Sequence, residues 1–176
     1  MKKILSVAVM AVLMSACGGS GGSSGSSIGG NTPKEDTNIA AASEGASASS
    51  TFNSSTVTNA IDEDEATTWV SDPDKPLIIE FSSAENVKKI SIKKVAASVT
   101  AGTTPDVLVE LSTDGKTYKT SNMTLIVGGD IPCNSTTINA TLLECSMDEY
   151  EAKYLRITTQ NGKSFEFQEV EVIAYK

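Results

Sequence analysis

Phe165-Glu-Phe-Gln-Glu-Val-Glu-Val-Ile-Ala174 alternates apolar and polar side chains, the period-two signature of a strand with one buried face. Its apolar residues fall on odd numbers at Phe165 and Phe167, then on even numbers at Val170, Val172 and Ala174. A strand that changes phase has an extra residue in it. The slip therefore predicts a bulge at Gln168 and Glu169, where a side chain is re-aimed and a carbonyl is freed from the ladder. The same period recurs upstream. Ile90 and Ile92 face one way while Ser91 and Lys93 face the other, Val107, Val109 and Leu111 repeat the pattern, and Leu155 and Ile157 point inward from Tyr154 to Thr158. Arg156, between them, falls on the polar side and is expected to pair with a carboxylate. Leu77 to Phe81 is nearly continuous apolar, as a strand covered on both faces would be. Thr113-Asp-Gly-Lys116 supplies a turn in which Gly115 is free to take a positive φ. No stretch carries a helical stripe, so the chain is expected to be all-β, an antiparallel β-sandwich of jelly-roll type.

Before these strands lies Asn59-Ala-Ile-Asp-Glu-Asp-Glu-Ala-Thr-Thr-Trp69. Asp62, Asp64 and Thr67 offer oxygens within one turn-forming segment, and calcium accepts about six to eight oxygens from carboxylates, hydroxyls and carbonyls. The segment is not an EF-hand: counting from Asp62, the sixth position is Thr67 instead of Gly and the twelfth is Pro73 instead of Glu. A charge run of this kind is otherwise a solvated acidic loop.

The ordered set Asn38-Ile-Ala, Ala46-Ser-Ala-Ser-Ser50, Asp62-x-Asp-x-x-Thr-x-Trp69, Pro76-Leu-Ile-Ile-Glu-Phe81, Val109-x-Leu-Ser-x-Asp-Gly115, Lys153-Tyr-Leu-Arg-Ile157 and Phe167-Gln-Glu-Val-Glu-Val172 resembles the discoidin, or coagulation-factor type C, domain of the galactose-binding-like superfamily. The resemblance implies a domain that binds, most often carbohydrate, and rarely does chemistry. It also implies a structural calcium held by the Asp62 carboxylate, the Thr67 hydroxyl and carbonyl, the Glu169 carboxylate, and carbonyls of Asn59, Asp64 and Gln168. Trp69 takes a core position in this family. Related sugar-binding modules present an aromatic from the loop before the last strand, which makes Asn161 and Phe165 candidate ligand residues; Phe165 is equally the first inward residue of that strand. The chain departs from the pattern at Glu63, where the family often has Gly, and in a long loop from Gly128 to Met147.

The N-terminus gives an address. Lys2 and Lys3 precede an apolar run, Ile4 to Met14, too short to span a bilayer, so residues 1–16 are expected to be a signal peptide. Leu13-Met-Ser-Ala-Cys17 resembles the bacterial lipoprotein processing box, which implies a lipid on Cys17, and Gly18 after it favours the outer membrane. The alternative is plain secretion with cleavage near Ala16. Gly18 to Gly30 comprises seven Gly, five Ser and one Ile, so residues 17–37 form a lipidated Cys and flexible linker, leaving 38–176 as the domain. Lipidation of Cys17 would leave Cys133 and Cys145 as a disulfide pair in an exported chain.

The chain has 14 basic and 22 acidic residues; losing Lys2 and Lys3 leaves 12 against 22, a net charge of about minus ten. That balance argues against nucleic acid and against docking on anionic lipid, so membrane contact comes from the anchor alone. With no His, no nucleophile–base set and no phosphate-cradling glycine loop, the sequence argues against an enzyme. The expected partner is a glycan, or alternatively a surface protein bound by the same fold acting as an envelope scaffold.

Overall fold

The computed structural model describes residues 35–54, 56–95, 102 and 104–175; the expected signal peptide, Cys17 and most of the linker lie outside them. The strands are β1 (Asp36–Asn38), β2 (Ser47–Ser49), β3 (Trp69–Val70), β4 (Leu77–Val95), β5 (Val107–Ser112), β6 (Lys119–Thr120), β7 (Ser135–Ile138), β8 (Leu142–Thr159) and β9 (Glu166–Tyr175). Single turns of 3-10 helix, Ala42–Glu44 and Val57–Ala60, are the only helical elements among the described residues. The first strand opens at Asp36, two residues ahead of the expected start at Asn38.

Every strand pairing is antiparallel, in the order β1-β9-β4-β8-β5-β6, with β2 also on β4, β3 on β9 and β7 on β8. The sheet becomes a sandwich because its two longest strands serve both layers. Leu77–Glu80 of β4 pairs with Tyr154–Ile157 of β8, beside β2 and β5; Lys89–Lys93 pairs with Leu142–Ser146, beside β9 and β7. Between these halves the ladder loses register from Glu80 to Glu85, over a polar stretch, Ser82 to Asn86, that buries little. The break lets the ribbon turn from one layer to the other.

Alternation then sets the core. Leu77, Ile79, Phe81, Val87, Ile90, Ile92, Val107, Val109, Leu111, Leu155, Ile157, Val170, Val172 and Ala174 are all buried in one cluster with Trp69, Phe165 and Phe167. Leu77–Phe81 is covered on one face only, since Ile78 and Glu80 are half-exposed on the outer side. There Arg156 donates to both carboxylate oxygens of Glu110 at 2.6 and 2.9 Å, with its guanidinium 3.8 Å from the Tyr118 ring centre. Gly115 takes φ 68°, as its turn requires.

The stretch from Gly128 to Met147 is not the long loop its polarity predicts. Ser135–Ile138 pairs with Leu143–Ser146 as a hairpin, and the Asn139 side chain accepts from the Thr141 and Leu142 amides at 2.9 Å to close its turn. An edge strand needs no apolar alternation, which is why Ser-Thr-Thr-Ile gave little signal. The Cys133–Cys145 disulfide ties the base of this hairpin, with a Cα–Cα distance of 5.4 Å. Reduction is expected to cost about 2–3 kcal/mol through the freed loop. Urea unfolding with and without reductant reads this directly, and coincident midpoints would show that the bridge does not contribute.

Candidate metal and binding sites

The acidic loop is anchored before it begins. Val57, Ala60 and Ile61 bury themselves in the core, and the Asn59 amide donates to the Thr68 carbonyl at 3.1 Å, pinning the two ends together. At Glu63 the chain takes φ 63°, a left-handed conformation that glycine adopts without cost, which explains the family's preference there. Asp62 accepts from the Asp64 amide at 3.1 Å, and Asp64 accepts from the Ala66 amide at 2.9 Å. The Thr67 hydroxyl oxygen then lies 3.1 and 2.9 Å from the two Asp62 carboxylate oxygens and 3.1 Å from the Asp64 carbonyl. A hydroxyl has one proton to donate, so it cannot satisfy three acceptors at once. A group of oxygens this close, sharing one proton, is chemically suited to a cation.

Glu169 closes the site from the far strand. Lys93 pairs with Glu169 and Lys94 with Phe167, so one residue step on β4 spans two on β9 and Gln168 is the extra residue of the expected bulge. The bulge keeps Glu169 on the face of Lys93 and Glu171, away from the core, where the acidic loop covers it: it is 2% exposed, one oxygen accepts from the Glu63 amide at 3.0 Å, and the other, Oε1, has no hydrogen-bond partner. Burial, reinforced by the Asp62 and Glu171 charges and opposed by the Glu63 amide, pushes its carboxyl up to about 7. Gln168 points elsewhere, its amide donating to the Glu65 carbonyl at 2.9 Å. Beside them, Lys93 bridges Glu65 and Glu171 at 2.7 Å each, and both contacts hold its ammonium above the usual lysine range. Among the described residues no three acidic, histidine or cysteine side chains are placed to hold a metal ion by themselves. A cation would therefore be held by the Asp62 and Glu169 carboxylates, the Thr67 hydroxyl and backbone carbonyls, a donor set of calcium type. The orphaned Glu169 oxygen and the crowded Thr67 hydroxyl fit such an ion.

A second polar cluster lies where β8 ends and β9 begins. Asp106, 7% exposed, accepts from the Asn161 side-chain amide and the Lys163 ammonium, each at 3.1 Å, while its carbonyl accepts from Gln160 at 2.8 Å. Asn161 sits at φ 57° in an exposed turn. Phe165 does not belong to this surface: it is 2% exposed and stacks on Phe167 with ring centres 6.3 Å apart, so its ring has no face for a ligand. The strand begins one residue later than the ring, but the inward phase already holds at Phe165, whose amide donates to the Ser71 hydroxyl. Asp106 and Lys163 were not singled out from sequence; a lone acid before a strand carries no signal until the fold brings Asn161 to it.

The sequence pattern of the F5/8 type C domain matches residues 45–171. The chain belongs to that family. Solved structures of carbohydrate-binding modules resemble it in fold. CpGH89CBM32-6, produced by Clostridium perfringens, superposes with a TM-score of 0.60 at 20% identity, covering 78% of this chain and 99% of its own. The family 32 carbohydrate-binding module of C. perfringens NanJ, solved with galactose, gives 0.55 at 17% identity over 79% and 99%. Chitosan-binding module 1 from a chitosanase/glucanase of Paenibacillus sp. IK-5 gives 0.54 at 20% over 77% and 98%. At these identities the likeness is one of fold. No curated protein matches the chain in sequence. In this F5/8 type C domain, Asp62, Asp64, Thr67 and Glu169 are brought to one place, Asn59 and Gln168 brace it through their side-chain amides, and Asn161 stands at the other cluster.

Proposed function

We propose that this chain is a glycan-recognition module carried on the bacterial cell envelope by lipid on Cys17, with a calcium ion stapling its acidic loop to its last strand. The observation that carries the glycan reading is the Asp106 cluster. An almost buried carboxylate held between an amide and an ammonium offers acceptors and donors at fixed positions on the end of a rigid sandwich, which is what neighbouring sugar hydroxyls bind. Asp106 accepts a hydrogen bond from a sugar hydroxyl, while Asn161 and Lys163 orient that carboxylate and donate to adjacent oxygens. Family membership supports the same reading, as do the galactose and chitosan named for two modules of the same fold. When bound, calcium supplies a crosslink between distant parts of the chain; its role is structural, and the module binds rather than catalyses. A domain carried on a lipid anchor is suited to adhesion or capture.

The test is a broad glycan array probed with the full chain in detergent, with calcium and again with chelator. Binding to one glycan class is expected, reduced about tenfold by Asp106→Asn or Asn161→Ala through loss of a hydrogen bond to a sugar hydroxyl. Silence across the array from folded protein would overturn the glycan reading. One observation favours a protein partner instead: Ile126 and Val127 are 68% and 72% exposed, next to each other on a loop closed by the Ser121–Ile131 bridge. A protein ligand would be lost on replacing those two residues and would ignore Asp106.

A further inference from the structure

A cavity lies at the other end of the sandwich, beside β1. It measures about 500 Å³ and is lined by Asp36, Lys88, Lys89, Ser146, Met147 and Ile173. It exists because β4 loses register with both neighbours at one residue. Val87 pairs with Tyr150 and Ala174, Lys89 with Ser146 and Ile173, and Lys88 with neither strand. The inward residues on either side, Val87 and Ile90, are both fully buried and stand three apart, so two consecutive lysines lie between them on the outer face. In a regular strand Lys88 and Lys89 would point to opposite faces. The bulge brings both to one groove.

The groove has a built-in occupant. Lys88 forms an ion pair with Asp36, and its ammonium also sits 3.7 Å from the centre of the Tyr175 ring. The ring contact fixes the ammonium independently of the acid. Asp36 is 60% exposed on a three-residue edge strand, so its hold on Lys88 is a surface ion pair that contributes little. Lys89 reaches only 3.4 Å from Glu144. Between the lysines and these acids, Met147, 5% exposed, and Ile173 form an apolar floor, with Ser146 at the rim. The volume is that of a small-molecule site, where an apolar wall and a few convergent polar groups are the usual lining.

We propose that this groove binds a carboxylate-bearing sugar of the uronic acid class, whose carboxylate replaces that of Asp36 between Lys88 and Lys89 while the ring's C–H face lies on Met147 and Ile173. Asp36 occupies the position of the ligand's own acid and competes with it. Ser146, at the rim, faces the ring hydroxyls. The site is separate from the Asp106 cluster and does not depend on glycan binding there: β9, ten residues long, begins near Asn161 and ends at Tyr175, placing the two sites roughly 30 Å apart.

The test is a methyl-detected NMR titration of the full chain in detergent with methyl β-glucuronide and, as the neutral counterpart, methyl β-glucoside. The glucuronide is expected to shift the Met147 and Ile173 methyl signals and the glucoside to leave them in place. Asp36→Asn, which keeps the strand and removes the competing charge, should tighten glucuronide binding about three- to fivefold, and Lys89→Ala should weaken it at least that much. The proposal is overturned if both sugars act alike, if Asp36→Asn weakens binding, if no methyl signal moves, or if the shifts fall only at the Asp106 end. That last result would assign the sugar to the other site and leave the glycan reading standing.

Discussion

Glu169→Gln is expected to make the calcium-free domain more stable at pH 8 and to abolish its response to calcium. The wild-type carboxyl, 2% exposed, is pushed up to about 7 from an ordinary value of 4.5. A group whose folded value is raised in this way, being an acid, is held more readily in its protonated form by the fold. Its ionisation therefore costs nothing below pH 4.5, costs progressively more as pH rises towards 7, and above that reaches a plateau of ~3 kcal/mol. Glutamine removes this penalty while its carbonyl still accepts from the Glu63 amide. A bound calcium would act in the opposite sense, favouring the ionised form, so it should stabilise the wild type more at pH 8 than at pH 5, where Glu169 is largely protonated. Urea midpoints of both proteins at the two pH values, in calcium and in chelator, separate these effects. A variant less stable than wild type at pH 8 in chelator would show that Glu169 already has a satisfied partner and that no cation is needed there.

Trp69→Ala is expected to cost ~3–5 kcal/mol, a large fraction of what holds a domain of this size. Trp69 is 1% exposed, pairs in register with Phe167, and stacks on it at 5.9 Å with planes 17° apart; Phe165 continues the stack. Truncation would leave a cavity bounded by two rings and by β3, a strand only two residues long that cannot collapse inward without giving up its ladder. Trp69→Phe should lose much less, under ~2 kcal/mol, because the indole N–H has no partner and phenylalanine removes an unsatisfied buried donor along with its volume. Equilibrium unfolding of both variants checks the order. If alanine cost under ~1 kcal/mol while glycan binding vanished, Trp69 would be a ligand platform and not a core residue.

The architecture was legible wherever one face of a strand is buried, because burial imposes a period of two on the residue choice. Val107 to Leu111 and Val170 to Ala174 are examples, and the phase slip before Val170 located the bulge at Gln168. The same reasoning extends to Lys94, which alternation places inward after Ile92 and Lys93. It is 1% exposed, its ammonium donates to the Asn139 carbonyl at 2.6 Å, and burial lowers it from the usual lysine value. Its polarity masked a position that the pattern had already assigned. The β7 hairpin was not legible, since an edge strand of Ser and Thr has no buried face to write a pattern. Of the candidate sites, the Asp62–Thr67 oxygens lie close in sequence and could be seen together. The Asp106–Asn161 pair joins residues 55 apart and leaves no local signature, whereas the lysine groove is written in the sequence only as a second phase slip, from Val87 to Ile90.

β1 enters beside Tyr175 and runs antiparallel to β9, with Asn38 accepting from the Val172 amide through its side chain at 2.9 Å. A load applied between residue 35 and a ligand at the Asp106 end therefore pulls along the strand axis. Ladder hydrogen bonds lie across that axis, so the force shears them together instead of parting them one at a time. Pulled in this way the domain is gripped in the geometry in which a short strand resists tension best, so it would stay folded while its two ends are drawn apart.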